Sequence, residues 1–269
     1  MRDQSVAPYP ARSFGIINWI GLWTLYAREV QRFSKIWLQA IVAPAMVSLL
    51  FLAIFSLVLG GAGRSVGDVP FLQFLAPGLI MMSIIQNSFQ NATSTLMISK
   101  MQGSIVDLLM PPLSAGELML GLALGGATRG IVVAVVVAAA LYVFVPFEMA
   151  SVVPVIVFAA LSSSALSVIG VIVGIWADKF DNIATITNFI VTPLAFLSGT
   201  FYSVERLPGV FHSASQFNPF FYMIDGFRSG FIGQSDSSVF LGGAILVGLN
   251  VALWCFGYYL LSRGYKLKA

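Results

Sequence analysis

The stretch from Thr187 to Gly233 decides how this chain is organised: TNFIVTPLAFLSGTFYSVERLPGVFHSASQFNPFFYMIDGFRSGFIG. It begins like a membrane span, but proline and glycine interrupt the apolar run before a span is complete. The interrupting residues are Pro193, Gly199, Pro208, Gly209 and Pro219. Backbone groups freed at such breaks find no water in hydrocarbon, so the segment must pack in protein or line a wet cavity. This stretch is therefore the first candidate for function.

The composition outside this stretch predicts a polytopic membrane protein. Of the 269 residues, 58% are hydrophobic and 9% are charged, and the mean hydropathy is +0.91. Water-soluble domains normally contain about a quarter charged residues, so this chain has too few for a soluble surface. The net charge of +3 comes from dispersed basic residues. Because these form no patch, the sequence does not indicate a nucleic-acid partner.

Apolar runs long enough to cross about 30 Å of hydrocarbon predict six membrane spans. The predicted spans are Ile36–Leu59, about Phe71–Ile98, about Leu118–Val145, Val152–Trp176, a fifth that begins near Ile183, and about Val239–Ser262. The predicted fold class is an all-α polytopic membrane protein with an amphipathic interface helix before the first span and a re-entrant outer helical hairpin before the last. This divides the chain into an N-terminal segment, 1–35, a transmembrane domain, 36–262, and a tail, 263–269.

The N-terminal segment contains a basic amphipathic helix. Its apolar residues recur at helical spacing, with basic residues between them. The apolar set is Trp19, Trp23, Tyr26, Val30 and Phe33. Tryptophan and tyrosine favour the headgroup region, so the expected position is in the plane of the cytoplasmic membrane surface. The alternative is that these residues form the first turns of span one.

Polar residues inside the second and third spans are candidate functional groups. Span two has a polar series that should face other helices or a cavity. The series is Gln86, Asn87, Ser88, Gln90, Asn91, Thr93, Ser94 and Thr95. Span three contains Arg129, about 16 Å deep at 1.5 Å per residue. A buried intramembrane charge costs at least a few kcal/mol unless it is paired, so Arg129 has either an architectural role or a role on the substrate route.

The distribution of basic residues predicts the topology. With the amino end inside, ten of the 14 lysines and arginines fall on the cytoplasmic side, as the positive-inside rule requires. They are Arg2, Arg12, Arg28, Arg32, Lys35, Lys100, Lys179, Arg263, Lys266 and Lys268. Arg64, Arg206 and Arg228 fall on the outer side of the membrane or near it. Both termini are therefore expected in the cytoplasm. The interval Ser99 to Glu117 then becomes a cytoplasmic loop, whose short helix is stopped by Pro111 and Pro112.

This order of elements resembles the permease subunits of ABC-2 type exporters over about residues 20 to 262. The most specific pieces are GSIVDLLMPPLS at 103–114, and PF at 219–220 followed by FRSGF at 227–231. REVQRF at 28–33 also looks like the family's cytoplasmic helix. Within the family, FLAPGLIMM at 74–82 and TRG at 128–130 look most like the YadH and nodulation-factor-exporter branch.

The resemblance implies a permease homodimer in a bacterial inner membrane, docked on a cytoplasmic ABC ATPase subunit and in contact with membrane lipid. The cargo would be an amphipathic lipid-like or glycan-like molecule, or a drug, moved outward. The chain has no Walker A motif, so ATP and magnesium would be bound by the partner and the chain would need no cofactor of its own. The expected ATPase-docking residues are Arg28, Glu29, Arg32, Gly103, Ser104, Asp107, Leu108, Leu109, Met110 and Pro111. A solvated connector is the alternative for 103–112.

The transport pathway and its gate are expected in and near the opening stretch. Leu197 to Gly230, about 34 residues, is too interrupted for one span and too aromatic for an ordinary loop, so we expect two short helices that enter the outer leaflet and return. Asp225 and Arg228 are three apart, so they can pair on one helical face at its polar edge. The predicted pathway and gate residues are Arg129, Pro193, Phe196, Gly199, Phe201, Tyr202, Asn218, Pro219, Phe220, Asp225 and Arg228. Together with Phe217, Phe221 and Tyr222, the aromatic members of this set form a surface suited to an amphipathic cargo. The alternative interpretation is that these aromatic residues form only an interfacial belt.

Other function classes fit less well. A secondary transporter needs ion-binding groups near the midplane, where Arg129 is the one charge predicted. An intramembrane enzyme needs a nucleophile with a base, or a metal cluster. Cys255 and His212, each the only residue of its type, supply neither of these, and no metal site is predicted. The alternative that stays open is a channel or membrane scaffold subunit that ATP does not drive.

Overall fold

The structure is a computed structural model of the whole chain, and it describes residues 17–59, 65–67, 69–204 and 208–266. Several predictions fall on residues outside these ranges. They concern residues 1–16 of the N-terminal segment, residues 267–269 of the tail, and the loop positions of Arg64 and Arg206.

The described residues form eleven α-helices and one hairpin of two short strands, each two residues long. The helices are α1 Trp19–Lys35, α2 Ala43–Leu59, α3 Phe71–Met101, α4 Ile105–Leu109, α5 Ala115–Tyr142, α6 Val152–Trp176, α7 Phe180–Ile186, α8 Thr192–Leu197, α9 Gly209–Gln216, α10 Pro219–Ile232 and α11 Val239–Ser262. Strands β1 Ser65–Val66 and β2 Val69–Pro70 pair antiparallel before α3. π-Helical turns at Leu38–Val42 and Thr187–Val191 precede α2 and α8.

Six helical segments in the described part of the chain are long and apolar enough to cross a membrane. They are Leu38–Val58, Phe71–Met101, Ala115–Tyr142, Val152–Trp176, Phe180–Leu197 and Val239–Ser262. The predicted all-α polytopic fold class is thereby confirmed. The division into segments and domain, and the re-entrant position of the outer hairpin, stay predictions. The third span begins three residues earlier than expected because Ser114 and Glu117 form a capping box at its start.

Helix α3 is the centre of the bundle. It packs against α5, α6, α10 and α2, and most of its side chains are buried. Small residues on the neighbouring helices allow this close approach. A Cβ at Gly170 of α6 would lie 2.5 Å from the carbonyl oxygen of Phe89, and one at Gly126 of α5 would lie 2.9 Å from that of Ser88. The backbones of α5 and α6 therefore lie directly against α3.

Helix α1 is separate from the first span. It ends at Lys35, and Ile36 leaves helical geometry with φ −111° and ψ 35°, which disfavours the alternative that α1 is simply the start of span one. Its contacts advance along α5, with Leu25 against Gly121 and Glu29 against Gly125. The helix thus runs alongside α5 in the same chain direction. Its position relative to the membrane surface stays a prediction.

Candidate functional site

Seven of the ten predicted docking residues, those from Gly103 to Pro111, lie at the end of the bundle where α3 finishes and α4 begins, which we call the α4 end. Arg28, Glu29 and Arg32 lie farther along α1, where Glu29 bonds to Thr95 and Arg32 to Asn91 of α3. Gly103, with φ +68°, provides the left-handed turn between these helices. Asn18, just before α1, bonds to this region, since its Nδ2 donates to the carbonyl oxygen of Pro112 at 3.2 Å. The start of helix α1 is therefore joined to the segment that follows α4.

The docking set divides into exposed and buried residues. Met110 is 76% exposed. The other exposed members are Arg28, Gly103, Asp107, Leu109 and Pro111, with Arg32 and Ser104 partly exposed. Leu108 is 2% exposed and Glu29 is fully buried, so these two cannot contact a partner in this structure. Leu108 holds α4 on the bundle by packing in its core. The docking role of the exposed residues stays a prediction.

Glu29 instead belongs to a buried polar network between α1 and α3. Its Oε2 accepts hydrogen bonds from Arg32 at 3.1 Å and from Thr95 at 2.5 Å. The guanidinium of Arg32 also donates to the side-chain oxygen and the backbone oxygen of Asn91, both at 2.9 Å. The sequence signal was the polar series of span two, which includes Asn91 and Thr95 and is predicted to face other helices or a cavity. That series did not identify Glu29 as a partner.

Arg129 lies in the middle of α5 and is 6% exposed. Its Nη2 donates to Oδ1 of Asn87 on α3 at 3.3 Å, and its Nε has no hydrogen-bond partner. The guanidinium borders a cavity of about 290 Å³ between α2 and α3. The predicted intramembrane partner of Arg129 is therefore an amide in the described structure, where its side chain forms no ion pair.

The opening stretch folds into α8, α9 and α10 at the opposite end of α3, which we call the α10 end. Gly199, with φ +79°, ends the turn after α8. Asn218 links the two sides of the stretch. Its Nδ2 donates to Oγ of Ser198 at 2.7 Å, and its Oδ1 accepts from the backbone N–H of Phe220 at the start of α10. Two short helices do follow the break at Gly199, as expected, but α10 is a packed part of the bundle core.

In the described structure Asp225 and Arg228 form no ion pair with each other, although their spacing would allow one. Both side chains are 3% exposed, but each bonds to a different loop. Asp225 accepts from the backbone N–H groups of Asp236 and Ser237 at 2.8 and 2.9 Å. Arg228 donates to the carbonyl oxygen of Gly199 at 2.6 Å. Its guanidinium also lies over the ring of Phe74, 3.8 Å from the centroid. The nearest hydrogen-bond partners are therefore the Ser237 hydroxyl and two backbone N–H groups for Asp225, and a backbone carbonyl oxygen for Arg228.

The predicted aromatic surface is partly buried and partly exposed. Phe220, Phe221 and Tyr222 are buried in the core, so they offer no surface to a cargo in this conformation. Phe217 is 90% exposed. Phe196 and Phe201 are half-buried, as are Pro193, Tyr202 and Pro219. The rings of Phe196 and Phe201 form a cluster with those of Phe51 and Phe55 on α2. This cluster connects the first span to the outer hairpin.

The comparison with protein families identifies the architecture. A family described as ABC-2 type transporter matches residues 21–232, a region that runs from α1 to the last residue of α10. The chain belongs to the ABC-2 type transporter family. The resemblance drawn from the motifs at 103–114 and 219–231 is therefore confirmed. The family match covers the helices from α1 to α10.

Individual relatives extend the match to the last span. The chain is 36% identical over 253 residues, 94% of its length, to a protein of Escherichia coli K12 named inner membrane transport permease YadH, of which the match covers 99%. It is 28% identical to nodulation protein J of Rhizobium leguminosarum bv. trifolii, with 87% of each chain covered. The predicted branch of the family is confirmed. With the six spans, these relatives confirm an inner-membrane protein of the transport-permease kind.

Proposed function

We propose that this chain is the transmembrane subunit of an ATP-driven exporter that works as a homodimer. ATP and magnesium bind to a separate cytoplasmic ATPase subunit, so the chain carries no cofactor and performs no hydrolysis itself. The cargo is an amphipathic lipid-like or glycan-like molecule, or a drug, which moves outward across the inner membrane. The family match and the permease name of the E. coli relative support this assignment.

The observation that carries the proposal is the exposed surface of α4. Five consecutive residues include three apolar side chains that the bundle does not cover: Val106, Leu109 and Met110. Meanwhile Ile105 and Leu108 pack inside. Exposed apolar groups on a fixed helix indicate a protein contact. Ile105 and Leu108 belong to the same buried apolar cluster as Leu25 of α1 and Leu118 of α5, so a partner that moves α4 also acts on the bundle.

The orientation follows from charge. Lys100 donates to the backbone carbonyl oxygens of Ile175 and Ala177 at the end of α6, and Lys266 donates to Asp178 at 2.7 Å. That ion pair holds the pKa of the Asp178 carboxyl below its ordinary value. These basic groups lie at the α4 end, which supports placing that end, and both termini, in the cytoplasm. The α10 end then faces outward.

Co-purification tests the docking surface. Met110→Asp places a charge on the exposed α4 surface and should abolish recovery of the ATPase subunit with the tagged permease. Met149→Asp makes the same change at a residue that is also exposed, 56% compared with 76%, but lies in the α5–α6 connection. It should leave recovery unchanged. Equal ATPase recovery with both variants would contradict the docking assignment, and absence of any ATPase with the unmodified protein would favour a channel or scaffold.

A further inference from the structure

The cavity beside Arg129 opens between α2 and α3. Its rim includes Gln39, Val47 and Gln90, whose side chains are exposed, and its inner end is formed by Asn87 and Arg129, which are buried. At about 290 Å³ the cavity is near the lower end of the usual range for small-molecule sites, about 300–1,000 Å³. A group that enters between the two spans therefore reaches the guanidinium.

Arg129 has unused hydrogen-bonding capacity at this inner end. A guanidinium carries five N–H donors, and the described structure provides one acceptor, the Asn87 side-chain oxygen at 3.3 Å. The Nε atom is buried and makes no hydrogen bond. Native proteins seldom leave buried donors unpaired, so such a group indicates a ligand or an ion that the protein chain does not supply.

The charges around Arg129 do not cancel. Arg32 is anchored on Asn91, which is one helical turn along α3 from Asn87, and its positive charge acts on Arg129. The neighbouring carboxylate, Glu29, is already bound to Arg32 and Thr95. The described side chains of this region thus contribute two guanidinium groups and one carboxylate. One positive charge is left over in a low-dielectric environment, where an anion would be strongly attracted.

The walls of the cavity are amphipathic. The α3 side carries polar groups, among them Ser83 and Gln86, whereas Val47, Phe51 and Leu79 make an apolar wall. A free inorganic anion would use only the polar side. A molecule with an anionic head and an apolar chain would match both sides.

We propose that this cavity binds the anionic headgroup of an amphipathic molecule, with Arg129 as the anion-recognising residue and the apolar chain lying against α2. The proposal rests on the proposed export function only in taking the bound amphiphile as cargo. Phosphate, sulfate and carboxylate headgroups share the chemistry that a guanidinium recognises by paired, charge-assisted hydrogen bonds.

Lipid binding to the purified protein tests this site without the ATPase. Native mass spectrometry would compare the binding of dioleoylphosphatidylglycerol and dioleoylphosphatidylcholine, which have the same chains. The unmodified protein should prefer phosphatidylglycerol by about tenfold, the factor expected from one charge-assisted hydrogen bond. Arg129→Gln should abolish the preference, and Arg129→Lys should retain part of it. Arg263→Gln, which removes an exposed arginine in the turn after α11, should leave the preference unchanged.

A second variant tests the cavity if Arg129→Gln does not fold. Val47→Phe fills the rim from an exposed position while Arg129 stays in place, so it should also remove the preference. Retention of the full preference in either folded variant would overturn the site, as would its absence in the unmodified protein. Inorganic phosphate at the same concentration should not displace phosphatidylglycerol, and efficient displacement would overturn the requirement for an apolar chain. Because no ATPase or nucleotide is present, these results are independent of those that test ATP-driven export.

Discussion

Buried charged side chains in this protein are held mainly by uncharged groups. Arg228 bonds to backbone carbonyls, Asp225 to backbone N–H groups and Arg129 to the amide of Asn87. A buried charge without a partner is expensive, and fixed peptide dipoles can compensate it only while the loops that carry them stay in place. The residues that position those loops therefore affect stability as much as the charges do.

Gly78 on α3 is such a positioning residue. A Cβ at this position would lie 2.5 Å from the carbonyl oxygen of Thr200 and 3.1 Å from Nη2 of Arg228. Gly78→Ala should therefore displace the loop that binds Arg228 and destabilise the protein by about 1–3 kcal/mol, the usual cost of overpacking. Thermal unfolding of the purified protein in detergent, followed by size-exclusion chromatography, would measure the fall in the midpoint.

Gly248→Ala is the matched control. This glycine lies on α11 with nothing within 4 Å of an added Cβ, so alanine there should be neutral or slightly stabilising. A Gly78→Ala protein that unfolds at the same temperature as Gly248→Ala would show that the contact with Thr200 does not limit stability.

The pair formed by Glu29 and Arg32 is a second residue-scale test. Removal of one member leaves the other charged in the network, so Glu29→Gln and Arg32→Gln should each lower stability, by about 1–3 kcal/mol once the partial exposure of Arg32 is considered. The double variant should be less destabilised than the sum of the two. Unfolding midpoints of the four proteins would measure this coupling, and strictly additive losses would show that the pair contributes little.

At the scale of elements, sequence patterns predicted the helices better than their partners. Apolar length placed all six spans because a span must satisfy its own backbone hydrogen bonds in lipid. The breaks at Gly199 and Pro219 placed the short helices of the hairpin. Spacing could not show that Glu29 faces inward on a basic helix, or that Asp225 and Arg228 bond to separate loops, because these contacts depend on residues distant in sequence.

The outer hairpin, α8 to α10, is expected to act as a gate, and its exposure pattern can be tested. Single cysteines would be introduced in a Cys255→Ser background, since Cys255 is itself exposed. A membrane-impermeant thiol reagent should label Phe217→Cys rapidly and Phe221→Cys slowly, because these side chains are 90% and 3% exposed. Labelling at Phe196 and Phe201 should change when ATP is supplied to the complex with the ATPase. Uniform labelling, unaffected by ATP, would identify an exposed loop and exclude a gate.

At the scale of the whole molecule, the spans are unevenly covered. Most residues in the most apolar part of α3 are buried inside the chain. In the most apolar parts of Leu38–Val58 and Phe180–Leu197, only 17% and 11% of the residues are buried. Between these two spans, α3 presents Gln86, Gln90 and Ser94 to two cavities. Lipid can cover apolar helices, but polar side chains at this depth favour contact with another protein or with cargo. This face is where we expect the second copy of the permease.

Transport by the purified complex of permease and ATPase in proteoliposomes tests most directly whether an ATPase docked at α4 drives this permease. Fluorescent phosphatidylglycerol would report the movement of an acidic amphiphile between leaflets. We predict movement that requires hydrolysable ATP and magnesium, is lost in Met110→Asp and is preserved in Met149→Asp. Movement at the same rate without ATP, or in Met110→Asp, would contradict the central claim that an ATPase docked at α4 drives this permease.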